Sequence, residues 1–183
     1  MRKKRIAIDM DETICDSLIR HIEWYNHTFS AALTKEDTAG TRIYHVIPVE
    51  HVEVVRAHPH HPDFFRDLDV FDDAIDSIKI LSEQYEIFFV TAAMEYPSSF
   101  QAKHDWLKKH FPFISELNFV FCGDKSIINA DYLIDDTPKH LDGFDGEGLL
   151  FHAFHNMNAE GYQRVHSWTE ILEKLRIDNE SIR

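Results

Sequence analysis

The sequence predicts an α/β fold, a doubly wound parallel sheet whose first strand is separated from the others by a sizeable insertion. Three observations carry this. Short apolar runs recur at Ile6-Ala7-Ile8, Ile87-Phe88-Phe89-Val90, Leu117-Asn118-Phe119-Val120-Phe121, Tyr132-Leu133-Ile134 and Leu149-Leu150-Phe151, as expected of strands buried on both faces. From Ala74 onward these runs alternate with stretches of helical period, the rhythm of βαβ units. Several runs end abruptly in polar residues, and open α/β sheets place their chemistry at that carboxyl edge.

The first strand leads into Asp9-Met10-Asp11-Glu12-Thr13. Ile14, Leu18, Ile22, Tyr25, Phe29 and Leu33 then form one apolar stripe, which predicts a long amphipathic helix over 14–33. Arg20 and Trp24 lie at the margin of that stripe and are candidates to face a ligand. The next stretch, to residue 71, has little periodicity: a polar break at Thr34-Lys35-Glu36-Asp37, a short helix over 49–57, and the run His58-Pro59-His60-His61-Pro62. The prolines bar a continuous helix through that run. Its histidines lack the i, i+4 spacing of helical metal ligands, so it reads as a proline-rich loop rather than a metal site. Phe64 and Phe65 follow, adjacent large aromatics suited to lining a base-sized pocket. Ala74, Ile78, Leu81 and Tyr85 mark the next helix; Ser98 and Gln101 form a capping-box pattern opening another that runs to about His110. Trp168, Ile171, Leu172 and Leu175 share one face of a closing helix.

With 183 residues the chain is long enough for one domain with an insertion. Its formal charge of −13 opposes binding to a polyanion and leaves no footprint for a nucleic-acid groove. A small phosphorylated ligand remains compatible, because a bound cation, a lysine and backbone amides can make one pocket positive inside an acidic protein. Cys15 and Cys122 are far apart in sequence and read as reduced, structural thiols. Arg2-Lys3-Lys4-Arg5 is followed by only three apolar residues before Asp9, so no signal-peptide core is present. No run reaches membrane-spanning length. These features predict a cytoplasmic protein with no membrane partner; the oligomeric state stays open, a dimer included.

Asp9 and Asp11 are the chemical centre of this reading. Two carboxylates one residue apart repel when both are ionised, so one needs a cation beside it or must hold a proton. One can bind Mg²⁺ and attack phosphorus while the other carries the proton of the leaving group. Thr91, Lys125 and Asp135-Asp136 recur at the ends of later strands. Each alone suits a turn or a solvated surface; together they supply the parts of a phosphoryl-transfer site.

In that order they resemble the four motifs of the haloacid-dehalogenase (HAD) superfamily of phosphatases. Asp9-Met10-Asp11-Glu12-Thr13 matches the first, Thr91 the second, Lys125 the third and Asp135-Asp136 the fourth. The resemblance implies a Rossmann-like core formed by residues 1–14 and 72–183, with residues 15–71 inserted as a small helical cap. Within the superfamily the chain is similar to the 5′(3′)-deoxyribonucleotidases, through Asp9-Met10-Asp11, Pro62-Asp63-Phe64-Phe65-Arg66, Ile134-Asp135-Asp136 and Phe154-His155-Asn156. It departs from the animal members at Ala92, where they carry a hydroxyl after the motif threonine.

The resemblance implies that Asp9 is the nucleophile and Asp11 the general acid and base. It implies that Thr91 and Lys125 bind phosphate. Mg²⁺ would be held by the Asp9 and Asp135 carboxylates and the Asp11 backbone carbonyl, with Asp136 bound directly or through water. The partner would be a small-molecule phosphomonoester, a nucleoside monophosphate first and a sugar phosphate as the alternative. A receiver-type signalling domain shares the residue types but orders them differently and has no room for such an insertion. A non-catalytic nucleotide binder would not need both Asp9 and Asp11.

Overall fold

Successive side chains of a strand point to opposite faces of its sheet, and β1 (Arg5–Ile8) shows both destinations. Ile6 and Ile8 enter the larger apolar cluster of the protein, while Ala7 joins a smaller one with Val90, Cys122 and Leu133. The computed structural model describes residues 2–180, with side chains as far as Leu175. β1 lies near the middle of one parallel sheet with β2 (Glu86–Thr91), β3 (Phe119–Phe121), β4 (Tyr132–Asp135), β5 (Glu147–Phe151) and β6 (Gln163–Val165). Their spatial order is β3-β2-β1-β4-β5-β6.

The predicted doubly wound α/β architecture is thus the one observed. Its direction of winding reverses between β1 and β4, and ligands of such sheets bind in the crevice at that reversal. The register places Ile8 beside Ile134, so Asp9 and Asp135 leave the sheet side by side.

The larger face is covered by α3 (Ala74–Gln84), α4 (Phe100–His110) and α6 (Trp168–Glu180). The smaller is covered by α5 (Pro138–Asp142) and its flanking loops. Between β1 and α3 the chain leaves the sheet and builds α1 (Ser17–Phe29), α2 (Val52–Ala57) and several single 3-10 turns. These pack around their own centre of Ile22, Tyr25, Ile43, Ile47 and Val55. The outgoing and returning stems pair antiparallel: Asp16 N–H donates to Asp69 O at 3.1 Å and Phe71 N–H to Ile14 O at 3.0 Å. Two buried indoles pin the stems, Trp168 Nε1 donating to Thr13 O at 2.9 Å and Trp106 Nε1 to Leu68 O at 2.8 Å.

Four local expectations need correction. The first helix begins at Ser17, not at 14; Ile14 is wholly buried in the sheet's own core, and Asp16 caps α1 by accepting from Ile19 N–H at 3.0 Å. Its end comes at Ser30, in the left-handed conformation, so Leu33 lies outside it. The Ser98 and Gln101 box does not form. Ser98 Oγ instead donates to His60 O across to the insertion, and a 3-10 turn at Pro97–Ser99 precedes α4. Leu117 sits in a 3-10 turn and is exposed, which shortens β3 to three residues. The sixth strand, β6, had no apolar run to announce it, since two of its three residues are Gln163 and Arg164.

Candidate active site

Asp9 N–H donates to Ile134 O at 2.9 Å, which extends the sheet ladder one residue and sets the carboxylate at its edge. The chain then wraps around Met10 O, which accepts from Ile14 N–H at 3.0 Å and Cys15 N–H at 3.3 Å. Glu12 takes a positive φ of 54°, unusual for a side chain with a Cβ. Its carboxylate holds the turn by accepting from Leu18 N–H at 2.6 Å and Ser17 Oγ at 2.9 Å.

The two aspartates end up beside different lysines. Lys125 Nζ, in the turn after β3, donates to Asp9 Oδ1 at 2.5 Å and Asp135 Oδ2 at 2.7 Å. Asp11 Oδ2 instead takes a hydrogen bond from Lys103 of α4, which also donates to Thr91 Oγ1 at 2.9 Å. Both lysines are almost wholly buried. The Lys103 ammonium further lies over the ring of Phe65, 4.2 Å from its centre. Asp135 is completed by Thr137 N–H at 2.8 Å and by His140 Nδ1, 3.0 Å from Oδ2. Asp136 Oδ1 accepts from Thr137 Oγ1 at 3.1 Å, and Asn156 Nδ2 donates to the Asp136 backbone oxygen at 2.7 Å.

Above this floor lies a cavity of about 300 Å³ between the carboxyl edge of the sheet and the insertion. Asp9, Asp11 and Asp136 line one side; His21, Tyr44, Phe64 and Phe65 line the other. Arg20 and Trp24 do not reach it, and their candidacy as pocket residues is corrected. Arg20 turns outward to Asp67, with Nη1 2.8 Å from Oδ1, and Trp24 packs edge-on against Phe64, His58 and His61, behind the pocket wall. The histidine run is a 3-10 turn with His58 buried beside His21, their Nδ1 atoms 3.3 Å apart. Among the described residues, the group of acids, histidines and cysteines placed to hold a cation is Asp9, Asp135 and Asp136, whose offered oxygens lie within 4.8 Å of one another.

The family described as 5′ nucleotidase, deoxy (pyrimidine), cytosolic type C protein matches residues 3–178. The chain belongs to that family. A 5′(3′)-deoxyribonucleotidase of Bacillus subtilis is 38% identical over 183 residues, covering 94% of this chain and 99% of the relative. A Staphylococcus aureus protein, provisionally named 5′(3′)-deoxyribonucleotidase, is 42% identical over 179 residues, covering 98% of each. Among solved structures, a haloacid dehalogenase-like hydrolase from Streptococcus pneumoniae superposes with a TM-score of 0.67 at 15% identity, over 94% of this chain and 98% of that one. A HAD-type hydrolase of Bacillus subtilis bound to magnesium gives 0.58 at 13%, over 96% and 99%. At such identities the two structures show the fold alone, and it is the HAD fold. As a member of this family the protein is an enzyme, a nucleotidase of the phosphatase class.

Electrostatics give the nucleotidase's carboxylates distinct characters. Burial pushes Asp9 up to about 6 against the pull of Lys125, and the nearby Asp135 and Asp11 add to the rise. Burial would raise Asp135 too, but Lys125 and His140 outweigh it and hold it below the usual range. Asp136 is driven well up by burial and by Asp135 and Asp9. Burial works against the charge of Lys125, yet Asp9 and Asp135 keep its pKa raised. Three acids and one shared ammonium leave this corner short of positive charge. An all-oxygen donor set in that condition fits a hard divalent cation. The thiols take no part: Cys15 and Cys122 are free and buried, and burial raises both.

The nucleotidase's second lysine escaped sequence reasoning. Lys103 lies on the buried face of α4 with Ala102, Trp106 and Leu107; a lysine on an apolar helical stripe was the available signal, since a buried ammonium needs a partner. His140 was also missed, and His155 was read only within Phe154-His155-Asn156, with no role assigned. Among the described residues no helix is long and apolar enough to cross a membrane.

Proposed function

We propose that this nucleotidase is a Mg²⁺-dependent 5′(3′)-deoxyribonucleotidase that hydrolyses its substrate through an aspartyl-phosphate on Asp9, with residues 15–71 acting as a cap over the site. The division of the two aspartates between two lysines carries the reading. Asp9 belongs to the carboxylate group with Asp135 and Asp136, whereas Asp11 stands outside it, tied to Lys103 by Oδ2 and leaving Oδ1 without a hydrogen-bond partner. One aspartate is therefore available for attack and the other for proton transfer.

In the first step an Asp9 carboxylate oxygen forms a bond to phosphorus as the ester P–O bond breaks, and Asp11 Oδ1 gives its proton to the departing nucleoside oxygen. In the second, Asp11 takes a proton from the water that attacks phosphorus, the Asp9–phosphoryl bond breaks, and inorganic phosphate leaves. Thr91 Oγ1, already accepting from Lys103, has its own proton free for a phosphoryl oxygen. Lys125 neutralises charge between Asp9 and the phosphoryl group. Asp9 and Asp135, with the Asp11 backbone carbonyl and Asp136, would hold Mg²⁺, which when bound supplies the missing positive charge and lets the dianion approach four acids. The names of the relatives and the aromatic wall of Phe64 and Phe65 support a nucleoside monophosphate as substrate. The family description supports a cytoplasmic enzyme acting on small molecules.

A panel of phosphomonoesters assayed with Mg²⁺ tests the proposal. Deoxynucleoside monophosphates should lead, and chelation should abolish turnover. Undiminished turnover after chelation and metal-depleted dialysis removes the metal-dependent reading, and equal efficiency on sugar phosphates removes the nucleotide preference.

A further inference from the structure

The cations of the floor are already committed. Lys125 is shared by Asp9 and Asp135, and Lys103 by Asp11 and Thr91. Ala92, next along the edge, offers the cavity only a methyl group. Facing them from the cap, Arg42 lines the same cavity, and among the described residues its guanidinium makes no hydrogen bond or ion pair.

The backbone fixes where Arg42 stands. Gly40, at φ +74°, donates its N–H to Phe154 O at 2.8 Å, and its lack of a Cβ makes room for Asn158. This ties the cap segment to the core loop that carries His155. Ile43, next after Arg42, is buried in the cap's own apolar centre, which leaves Arg42 on the cavity side. His155 Nε2 lies 3.5 Å from Asp136 Oδ2, is buried, and has no hydrogen-bond partner. Arg42 therefore shares one cavity with Asp11, Asp136 and His155.

We propose that Arg42 is a substrate-binding residue that clamps the phosphoryl group from the cap, opposite Lys125 and Lys103. This rests on the phosphatase reading above. A guanidinium suits the task, since its fork of donors meets two phosphoryl oxygens at once. It also gives the cap a reason to recognise the reacting end of any substrate, whatever nucleoside is attached.

The test uses Arg42→Ala and Arg42→Lys in the full-length, Mg²⁺-loaded enzyme, with inorganic phosphate and thymidine as separate inhibitors and dTMP and p-nitrophenyl phosphate as substrates. Arg42 is exposed and unpaired, so melting curves should match the parent. Arg42→Ala should raise KM for both substrates on the order of 10- to 100-fold and weaken phosphate inhibition by the same factor. Thymidine inhibition should not change, and Arg42→Lys should recover part of the loss. Unchanged phosphate inhibition in Arg42→Ala overturns the assignment, as does loss of thymidine inhibition alone, which would make Arg42 a sugar or base contact. If the parent enzyme ignores dTMP yet hydrolyses p-nitrophenyl phosphate in an Arg42-dependent way, the nucleotidase reading fails and the clamp stands.

Discussion

On the floor of the cavity, buried groups are charged and answer one another: Lys125 with Asp9 and Asp135, Lys103 with Asp11. In the cap wall opposite, the buried titratable groups are imidazoles among rings. His21 lies 4.6 Å from Phe64 and 5.4 Å from His58, centre to centre, with no counter-charge beside it. Burial lowers His21 to about 3, with His58 adding to the effect, so these imidazoles stay neutral and the charge the cap turns to the cavity is left to the exposed Arg42. The contrast shows two ways to bury polar groups beside one ligand. Charges kept for chemistry must be compensated one by one, because an unpaired buried charge costs several kcal/mol. Groups that only shape a pocket can give up their charge instead.

The floor should be fragile in proportion to that compensation. Lys125→Met leaves Asp9 and Asp135 buried together without their shared cation, and should cost about 3–5 kcal/mol of stability along with activity. Urea unfolding of the purified variant measures it. Parent-like stability would mean that the floor tolerates unpaired acids and that the contrast with the cap is false.

The cap should differ in its response to pH. His21 titrates at about 3 when folded and 6.5 in the unfolded chain, so below 6.5 the unfolded state takes up a proton that the folded state refuses. Stability from this group is complete above pH 6.5 and is lost as pH falls toward 3, with a slope of up to about 1.4 kcal/mol per pH unit. Asp9, raised to about 6, acts in the opposite sense without metal: its contribution is present below 3.8 and lost as pH rises through 6. Urea midpoints of metal-free parent and His21→Gln between pH 7 and 5 separate the two, the parent falling more steeply. Parallel curves would show that His21 is not held neutral by its surroundings.

The smallest effect is expected outside both walls. Arg20→Ala removes an ion pair to a largely exposed Asp67, which should cost no more than about 1 kcal/mol and leave KM for dTMP unchanged. A raised KM would return Arg20 to the pocket.

The same contrast decides what could be read from the sequence. Asp9, Thr91 and Asp135 were legible because strand ends sit at fixed places on a parallel sheet, and the register Ile8 to Ile134 carries that order into space. The cap is held by 3-10 turns at Glu36–Thr38, Ile43–His45, Val49–His51 and His58–His60, too short to show a period. Within α1 the apolar stripe was visible, but the side that faces the cavity was not. Leu18 and His21 line the cavity where Arg20 and Trp24 had been expected, and one residue along a helix turns the side chain by about 100°. Lys103 and Arg42 were hidden for opposite reasons, one buried on an apolar stripe and the other carried by an aperiodic turn.

The central claim is the division of labour between Asp9 and Asp11, and acid-quenched single-turnover measurement of the phosphoenzyme tests it most directly. Asp9→Asn should yield no trapped phosphoenzyme from dTMP or p-nitrophenyl phosphate. Asp11→Asn should still form it, slowed on the order of 10² to 10⁴-fold with dTMP, whose alkoxide leaves poorly without a proton. The slowing should be much smaller with p-nitrophenyl phosphate, whose phenolate leaves unaided. A phosphoenzyme in Asp9→Asn, or equal slowing of both substrates in Asp11→Asn, would contradict the assignment.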